Sequence, residues 1–353
     1  MIKKFSVILF LCILIMSGMY FRKLVFVPQK GNAISESSTF SIRFLDVGQA
    51  DASLIECDGH YMLIDGGSRS SSDKIYTVLK EAGINHLEII VGTHVDEDHI
   101  GGLSGALNYA TADRILCTTT KHDTEAFKDF AKYAKIKGGG ISIPEIGDIY
   151  SLGSARITIL GINAGNENND SSIILKIEYG DTTYLFTGDA EQAAEQQVLN
   201  SGADLLSTVL KVGHHGSADS TTQEFLDKVK PQYAIISVGA GNTYFHPSDV
   251  TLEKLEAAEI KVYRTDLQGE IKLTSDGKHV EITTEHENMK EDENTRVLPT
   301  EGADYVLNIK SKKFHYPFCI SVSQMKEKNA IYYQGTREEV LALEYEPCGN
   351  CHP

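Results

Sequence analysis

The pattern of apolar and polar positions predicts alternating strands and helices in the first half of the chain. Strands are indicated by short apolar runs or a period of two, and helices by apolar residues three and four apart. Three strands are predicted over 40–46, 52–56 and 61–64. Helices are then predicted over 72–82, 103–110 and 124–135, with strands over 87–91 and 114–117 between them.

The second half repeats this alternation after the chain breaks at three consecutive glycines, residues 138–140. Predicted strands cover 155–160, 172–178, 182–186, 208–212, 233–238 and 261–264. Predicted helices cover 190–200, 222–229 and 248–258. Two strand-rich halves with helices outside them predict an α/β fold, a four-layer αββα sandwich.

The two ends of the chain differ from this sandwich. Residues 1–39 contain Lys3 and Lys4 ahead of an apolar run over 5–21, and then a Ser-rich stretch, which predict a membrane anchor or signal segment and a linker. We therefore expect an exported protein at the cell membrane with the domain of residues 40–285 outside, secreted if the leader is cleaved. Charged residues over 286–303 predict a second linker. Residues 304–353 after it are predicted to form a small module.

Composition limits the classes of function. The formal net charge of -16 keeps the protein soluble but gives no general attraction to nucleic acid. Six cysteines in 353 residues do not indicate a disulfide-stapled scaffold. No feature of the sequence indicates a protein partner.

A dense set of metal-ligand side chains follows the predicted strand 87–91. His94, Asp96, Asp98 and His99 stand in an H-x-D-x-D-H pattern that fits neither helical nor strand spacing for long. We interpret it as a loop that curls around a cation. Mixed imidazole and carboxylate ligands suit zinc, manganese or iron and leave positions for water, which favours a metallohydrolase over a solvated acidic turn.

Three later clusters also stand at the ends of predicted strands. Asp189 ends a Thr-Gly-Asp run, where its carboxylate can bridge two cations, and His214 and His215 stand on a Gly-flanked turn. Asn169 and Asp170 precede another strand and are candidate ligands from the rim. Together with the first motif, these clusters predict one shared site.

These segments resemble the metallo-β-lactamase superfamily, and within it the branch found in ComEC competence proteins. The resemblance covers roughly residues 40–285 and rests on the runs at 44–51 (FLDVGQAD), 63–67 (LIDGG), 93–102, 187–189, 210–217 and 242–247 (NTYFHP). It implies the αββα fold and a metal-dependent hydrolytic site at the edge of the sandwich.

The resemblance also implies the ligands. His94 and Asp96 match the first metal site, Asp98 and His99 the second, and Asp189 the bridging carboxylate. His214 or His215 matches the remaining imidazole. Asp96 replaces a histidine common in the superfamily, and Asn169 or Asp170 stands where another is expected. We therefore expect one or two Zn²⁺ ions, with Mn²⁺ as an alternative and the first site the weaker.

The implied chemistry is hydrolysis by metal-activated water, with a phosphodiester substrate and DNA as the leading candidate. Asp98 and Asp189 are expected to orient the water, and His246 to donate a proton or hydrogen bond. Asp51 and Asp65 are interpreted as loop-shaping carboxylates and Lys211 as packing or pairing beside the site. The alternatives are a phosphodiesterase acting on cell-wall or phospholipid head groups, and a non-catalytic protein that binds nucleic acid or another polymer.

The C-terminal module carries its own ligand set. His315 and Cys319 are followed about thirty residues later by Cys348 and Cys351, a combination that predicts a structural Zn²⁺ site rather than a disulfide. The module resembles the metal-binding domain of Ada-type DNA repair proteins, with histidine in place of one cysteine. A further expectation is nucleic-acid contact through Lys310, Lys312 and Lys313.

Overall fold

Two seven-stranded sheets form the centre of the fold. The computed structural model describes residues 37–165, 168–286, 304–317, 319–323, 325, 329–348, 351 and 353. The first sheet contains, in spatial order, β14 (Val280–Thr284), β13 (Ile271–Ser275), β1 (Phe40–Phe44), β2 (Ser53–Cys57), β3 (His60–Ile64), β4 (His86–Val91) and β5 (Thr111–Leu116). The second contains β12 (Lys261–Arg264), β11 (Tyr233–Ile236), β10 (Val209–Lys211), β9 (Thr182–Phe186), β8 (Ile174–Tyr179), β7 (Ala155–Gly161) and β6 (Ile149–Leu152).

The inner faces of the two sheets pack against each other. On β1 the residues Phe40, Ile42 and Phe44 are buried and alternate with half-buried ones, as a strand with one face on a core requires. The ring of Phe40 stacks on Tyr179 and Tyr184 of the second sheet, with centroids 4.8 Å apart in both pairs. The aromatic and branched side chains therefore form a dry layer between the sheets.

Helices cover the outer face of each sheet. The first sheet is covered by the helices Ser72–Glu81, Leu103–Tyr109 and Glu125–Lys137, and the second by Gln192–Ser201, Gln223–Val229 and Asp249–Ala257. Local sequence sets several of their starts, since Thr124, Thr222 and Ser248 each accept a backbone N–H bond at the helix N-terminus. The predicted αββα sandwich is confirmed.

Several predictions of local structure were wrong or incomplete. The predicted loop of the H-x-D-x-D-H motif is partly a helical turn, Glu97–Ile100, which presents Asp98 and His99 from successive positions. The strands β6, β13 and β14 were not predicted. The signal for the pair β13 and β14 was present, because buried Ile271 and Leu273 alternate with more exposed residues before the turn at Gly277.

The C-terminal module forms a separate four-stranded sheet. Its strands are β15 (Tyr305–Asn308), β16 (Lys313–His315), β17 (Ala330–Tyr333) and β18 (Glu346–Pro347), with the helices Ile320–Ser323 and Arg337–Ala342. A core of four buried residues, Leu307, Phe314, Val340 and Tyr345, holds it together.

Two predicted segments fall largely outside the described residues. The N-terminal anchor or signal segment is one, because description starts at residue 37, and the linker 286–303 is the other. None of the helices in the described part of the chain has both the length and the apolar character needed to cross a bilayer.

Candidate functional site

The candidate site lies where strands of both sheets end. β4 leads into the His94 to His99 motif, β9 leads into Asp189, and β10 leads into the two adjacent histidines. Gly188 has a positive φ of 53°, and a Cβ there would lie 2.9 Å from Cβ of Thr93. The missing side chain therefore lets the two strand ends approach closely, which sets Asp189 beside His99.

Four predicted ligands come together at this point. The ligand atoms of Asp98, His99, Asp189 and His215 all lie within 4.8 Å of one another. Nε2 of His99 is 3.1 Å from Oδ1 of Asp189, and Nε2 of His215 is 3.3 Å from Oδ2 of Asp98. Three of the four are buried, while Asp98 stands at the rim, so the cluster is open to solvent on one side.

Neighbouring groups orient both imidazoles. Nδ1 of His99 lies 2.9 Å from Oδ2 of Asp65, which also accepts the Thr93 hydroxyl at 2.8 Å. Nδ1 of His215 donates to the carbonyl oxygen of Ser237 at 2.9 Å. With Nδ1 donating in each ring, Nε2 faces the cluster, and a bound cation would take the place of its proton and use its lone pair.

The turn that carries His214 and His215 is held in an uncommon conformation. Both residues have positive φ values, 48° and 52°. Each such non-glycine residue costs of order 1–3 kcal/mol, and such residues concentrate at functional sites. The surrounding structure thus holds these two rings in position at a cost in folding stability.

Several buried polar atoms in and beside the cluster would be satisfied by a divalent cation. Nε2 of His94, Nε2 of His99 and Oδ1 of Asp189 are buried and form no hydrogen bond with a described residue, since the 3.1 Å contact between the last two lacks hydrogen-bond geometry. Buried polar atoms are rarely left without partners, and metal coordination is one way to satisfy them. A divalent cation would be held by His99, His215 and Asp189, with Asp98 completing the set.

The charged groups of the cluster shift one another's pKa values. Burial disfavours an imidazolium at His215, but Asp189, Asp51 and Asp98 outweigh it and raise the pKa of His215 to about 10. Burial likewise opposes ionisation of Asp189, and His99 and His215 outweigh it and hold its pKa well below the ordinary value. The carboxylates therefore create a negative potential that favours a cation.

Comparison with known proteins agrees with this geometry. The profile of the metallo-beta-lactamase superfamily matches residues 45–240. The chain belongs to this superfamily. ComE operon protein 3 of Bacillus subtilis (strain 168) is 31% identical over 257 residues, covering 67% of this chain and 33% of that protein. Competence protein ComA of Neisseria gonorrhoeae is 28% identical over 253 residues, covering 70% and 34%.

The predicted resemblance to ComEC-type members of the superfamily is confirmed by these relatives, although the chain spans only about a third of their length. Among solved structures, the metallo-beta-lactamase fold protein YhfI from Bacillus subtilis aligns with a TM-score of 0.46 and 12% identity, over 69% of this chain and 100% of that one. The superfamily has the fold of metal-dependent hydrolases, and the four-ligand cluster is a candidate divalent-metal site of that kind.

The other predicted ligands lie around this cluster rather than in it. Nε2 of His94 is 3.5 Å from Oδ2 of Asp96, and Nε2 of His214 is 3.8 Å from Oδ2 of Asp189. Asn169 lies beside His214, with its Nδ2 3.5 Å from Nδ1 of that ring. The expectation that His94 and Asp96 hold a weaker first metal site stays a prediction.

Asp170 contacts the N-terminus of a helix. Its Oδ1 accepts the backbone N–H groups of Glu191 at 3.2 Å and Ala194 at 3.0 Å. The carboxylate thus caps the helix Gln192–Ser201 instead of joining the imidazoles, because a helix N-terminus offers unpaired donors to a nearby anion. The candidate ligand role of Asp170 stays a prediction, with Oδ1 already engaged by these two donors.

His246 lies at the edge of the cluster. Its ring centroid is 5.2 Å from that of His214 and 6.4 Å from that of His215. Burial and the neighbouring His214 and His215 lower the pKa of His246 to about 4. The ring is therefore neutral near pH 7 and suits donation of a hydrogen bond better than transfer of a proton.

Two supporting groups were only partly foreseen. Glu191 was not predicted, yet its Oε1 lies 3.1 Å from Nδ1 of His214, and only its position two residues after Asp189 hints at this. Lys211 was expected to pack or pair beside the site, and its Nζ lies 2.8 Å from Oδ2 of Asp51. Oδ1 of Asp51 in turn lies 3.5 Å from Nδ1 of His215, so this ion pair supports the ligand turn from behind.

The C-terminal ligand set also comes together. The ligand atoms of His315, Cys319, Cys348 and Cys351 lie within 4.8 Å of one another, and no described cysteine forms a disulfide. Both ring nitrogens of His315 are buried without a hydrogen-bond partner among the described residues. Burial and the neighbouring thiols raise the pKa of Cys351, so this sulfur favours ionisation only when a cation joins it.

Proposed function

We propose that this protein is an exported, metal-dependent phosphodiesterase, with DNA as its leading substrate, held at the cell membrane by its N-terminal segment. The observation that carries the proposal is the group of Asp98, His99, Asp189 and His215, whose ligand atoms converge within 4.8 Å. The buried, unpaired Nε2 of His99 and Oδ1 of Asp189 support it.

The residues of the site divide the work. A Zn²⁺ or Mn²⁺ ion held by the cluster would activate water and neutralise charge on the phosphoryl oxygens. Asp98, half-buried at the rim, is placed to orient the attacking water. His246 offers a neutral imidazole N–H to a substrate oxygen, and Asp65 and Ser237 keep the two imidazoles in the tautomer that the site requires.

Two features favour a phosphodiester over other substrates. The resemblance to the competence-protein branch implies phosphodiester cleavage, and the curated relatives have names from that group. In addition, His94, Asp96 and His214 flank the cluster, and a second, more weakly held cation there would suit in-line displacement at phosphorus.

The variant Asp98→Asn tests this proposal. We expect the full-length protein in detergent to nick plasmid DNA with Mn²⁺ or Zn²⁺, and the variant to be roughly 10- to 100-fold slower, because one rim ligand of four loses its charge. Initial rates of plasmid nicking, measured at matched metal concentrations, give the comparison.

The matched control is Asp123→Asn, which removes an equal charge from an exposed carboxylate outside the cluster. It should retain the wild-type rate. If the wild-type protein hydrolyses a wall-polymer or phospholipid head-group phosphodiester but not DNA, that compound would replace DNA as the proposed substrate. Equal inactivity of wild type and Asp98→Asn with every metal and substrate would favour a non-catalytic binding protein.

We further propose that His315, Cys319, Cys348 and Cys351 hold a structural Zn²⁺. The variant Cys351→Ser should then contain one fewer tightly bound zinc per chain by elemental analysis, because a serine hydroxyl is a poor zinc ligand. Cys57→Ser, at a cysteine buried in the sandwich, should keep the wild-type zinc content. Unchanged zinc in Cys351→Ser would contradict a structural site.

A further inference from the structure

A loop at the mouth of the site displays an aromatic ring to solvent. Tyr244 is 67% exposed, and its ring stacks beside His246 with centroids 5.9 Å apart and an interplanar angle of 29°. His246 in turn contacts His214 at 5.2 Å. A row of rings therefore leads from the surface to the imidazoles that flank the candidate metal centre.

The loop that carries this ring is held rigid by one side chain. Oδ1 of Asn242 accepts the backbone N–H groups of Tyr244 and His246, both at 3.1 Å. Its Nδ2 donates to the carbonyl oxygens of Gly239 at 2.9 Å and His246 at 2.6 Å. The position of Tyr244 is thus set during folding, so little ordering is left to oppose binding of a ligand.

An exposed, fixed aromatic ring beside a phosphodiester site suits a nucleobase. Every base has a face that stacks on an aromatic side chain, and this contact adds affinity without sequence preference. Bases inside a duplex have both faces covered by their neighbours, so a single ring is matched to an unpaired base. The net charge of -16 also makes phosphate contacts a poor source of affinity, which raises the need for stacking.

We propose that Tyr244 is a stacking platform for an unpaired base next to the cleaved phosphodiester, and that single-stranded nucleic acid is the preferred substrate form. This inference rests on the proposed function but has a readout of its own, since stacking contributes to binding whether or not cleavage follows.

Binding of labelled oligonucleotides to the full-length protein tests the proposal. Fluorescence anisotropy without a chelator, in an Asp189→Asn background that suppresses cleavage, gives the affinities for twelve-residue oligo-dT, an abasic strand of equal length and a duplex. We expect Tyr244→Ala to weaken oligo-dT binding about tenfold, the typical size of one base–aromatic contact, and to leave binding of the abasic strand unchanged. Tyr244→Phe should bind within about twofold of wild type, because the ring is kept.

Tyr133→Ala is the matched control, since it removes a tyrosine from the helix Glu125–Lys137, outside both the loop of Tyr244 and the C-terminal module. It should bind oligo-dT like wild type. The inference is overturned if Tyr244→Ala binds oligo-dT as tightly as wild type, or if the substitution weakens binding of the abasic strand as much as binding of oligo-dT. It is also overturned if the wild type prefers duplex or a wall polymer. DNA cleavage by a protein whose DNA binding does not depend on Tyr244 would refute the stacking role and leave the phosphodiesterase standing. Tyr244-dependent binding without cleavage under any metal would refute the phosphodiesterase and leave the stacking role standing.

Discussion

Asp189→Asn is expected to lower phosphodiesterase activity about a thousandfold, the largest effect at any single residue of the site. Asp189 is buried at the centre of the cluster, where Oδ1 faces His99 at 3.1 Å and Oδ2 faces His214 at 3.8 Å. An amide keeps the shape of the side chain but presents one neutral oxygen to a cation. Both the four-ligand cluster and the ligands that flank it lose their shared carboxylate.

Metal affinity provides the second measurement for this variant. Titration with Mn²⁺ or Co²⁺, followed by calorimetry, should show weaker binding in Asp189→Asn than in wild type. The control is Asp181→Asn, an exposed carboxylate at the opposite end of the same strand, β9. It should change neither rate nor affinity. If Asp189→Asn kept wild-type metal binding and rate, Asp189 would not be a ligand.

The layered fold was predictable because burial leaves a periodic record in the sequence. Residues 89–91 of β4 are apolar and buried on both faces, and β1 alternates strictly, so each pattern indicates the environment of its strand. β6 carries no such record. Ile149 is exposed and the strand pairs only with β7, so its place at the sheet edge depends on a partner rather than on its own pattern.

The site was predictable as far as its ligands stand in dense motifs. The pair of Asp98 and His99 can be recognised from its spacing in the sequence. The contacts of Asp170, in contrast, depend on where a helix begins in the folded structure. Its carboxylate reaches the N-terminus of Gln192–Ser201, about twenty positions away in sequence. Pairing of Glu191 with His214 is equally a product of the fold, because two turns from neighbouring strands meet there.

The buried pair of Lys211 and Asp51 joins the fold to the site. Both side chains are buried, with Nζ 2.8 Å from Oδ2, and Lys211 lies at the end of β10 just before the ligand turn. Burial opposes the ionisation of Asp51, and Lys211 and His215 outweigh it, so the pKa of Asp51 lies below its ordinary value. The ammonium thus keeps a carboxylate charged behind His215.

Lys211→Met is expected to lower the free energy of unfolding by about 3 to 5 kcal/mol at neutral pH, because it leaves a buried carboxylate without its cation. In wild type the low pKa of Asp51 contributes stability above the unfolded-state pKa, and this is lost as pH falls. In the variant the pKa of Asp51 rises, so the difference between the two proteins should shrink at acidic pH. Urea unfolding at neutral and acidic pH measures both effects.

Lys176→Met is the matched control, because Lys176 is also buried but its partner Asp204 is 72% exposed in its side chain. Water can solvate Asp204 when the ammonium is removed, so the loss should be about 1 kcal/mol or less. The double variant Asp51→Asn with Lys211→Met should recover part of the stability, since no unpaired charge remains. Equal losses in Lys211→Met and Lys176→Met, independent of pH, would mean that packing of the lysine stem, and not the ion pair, stabilises this region.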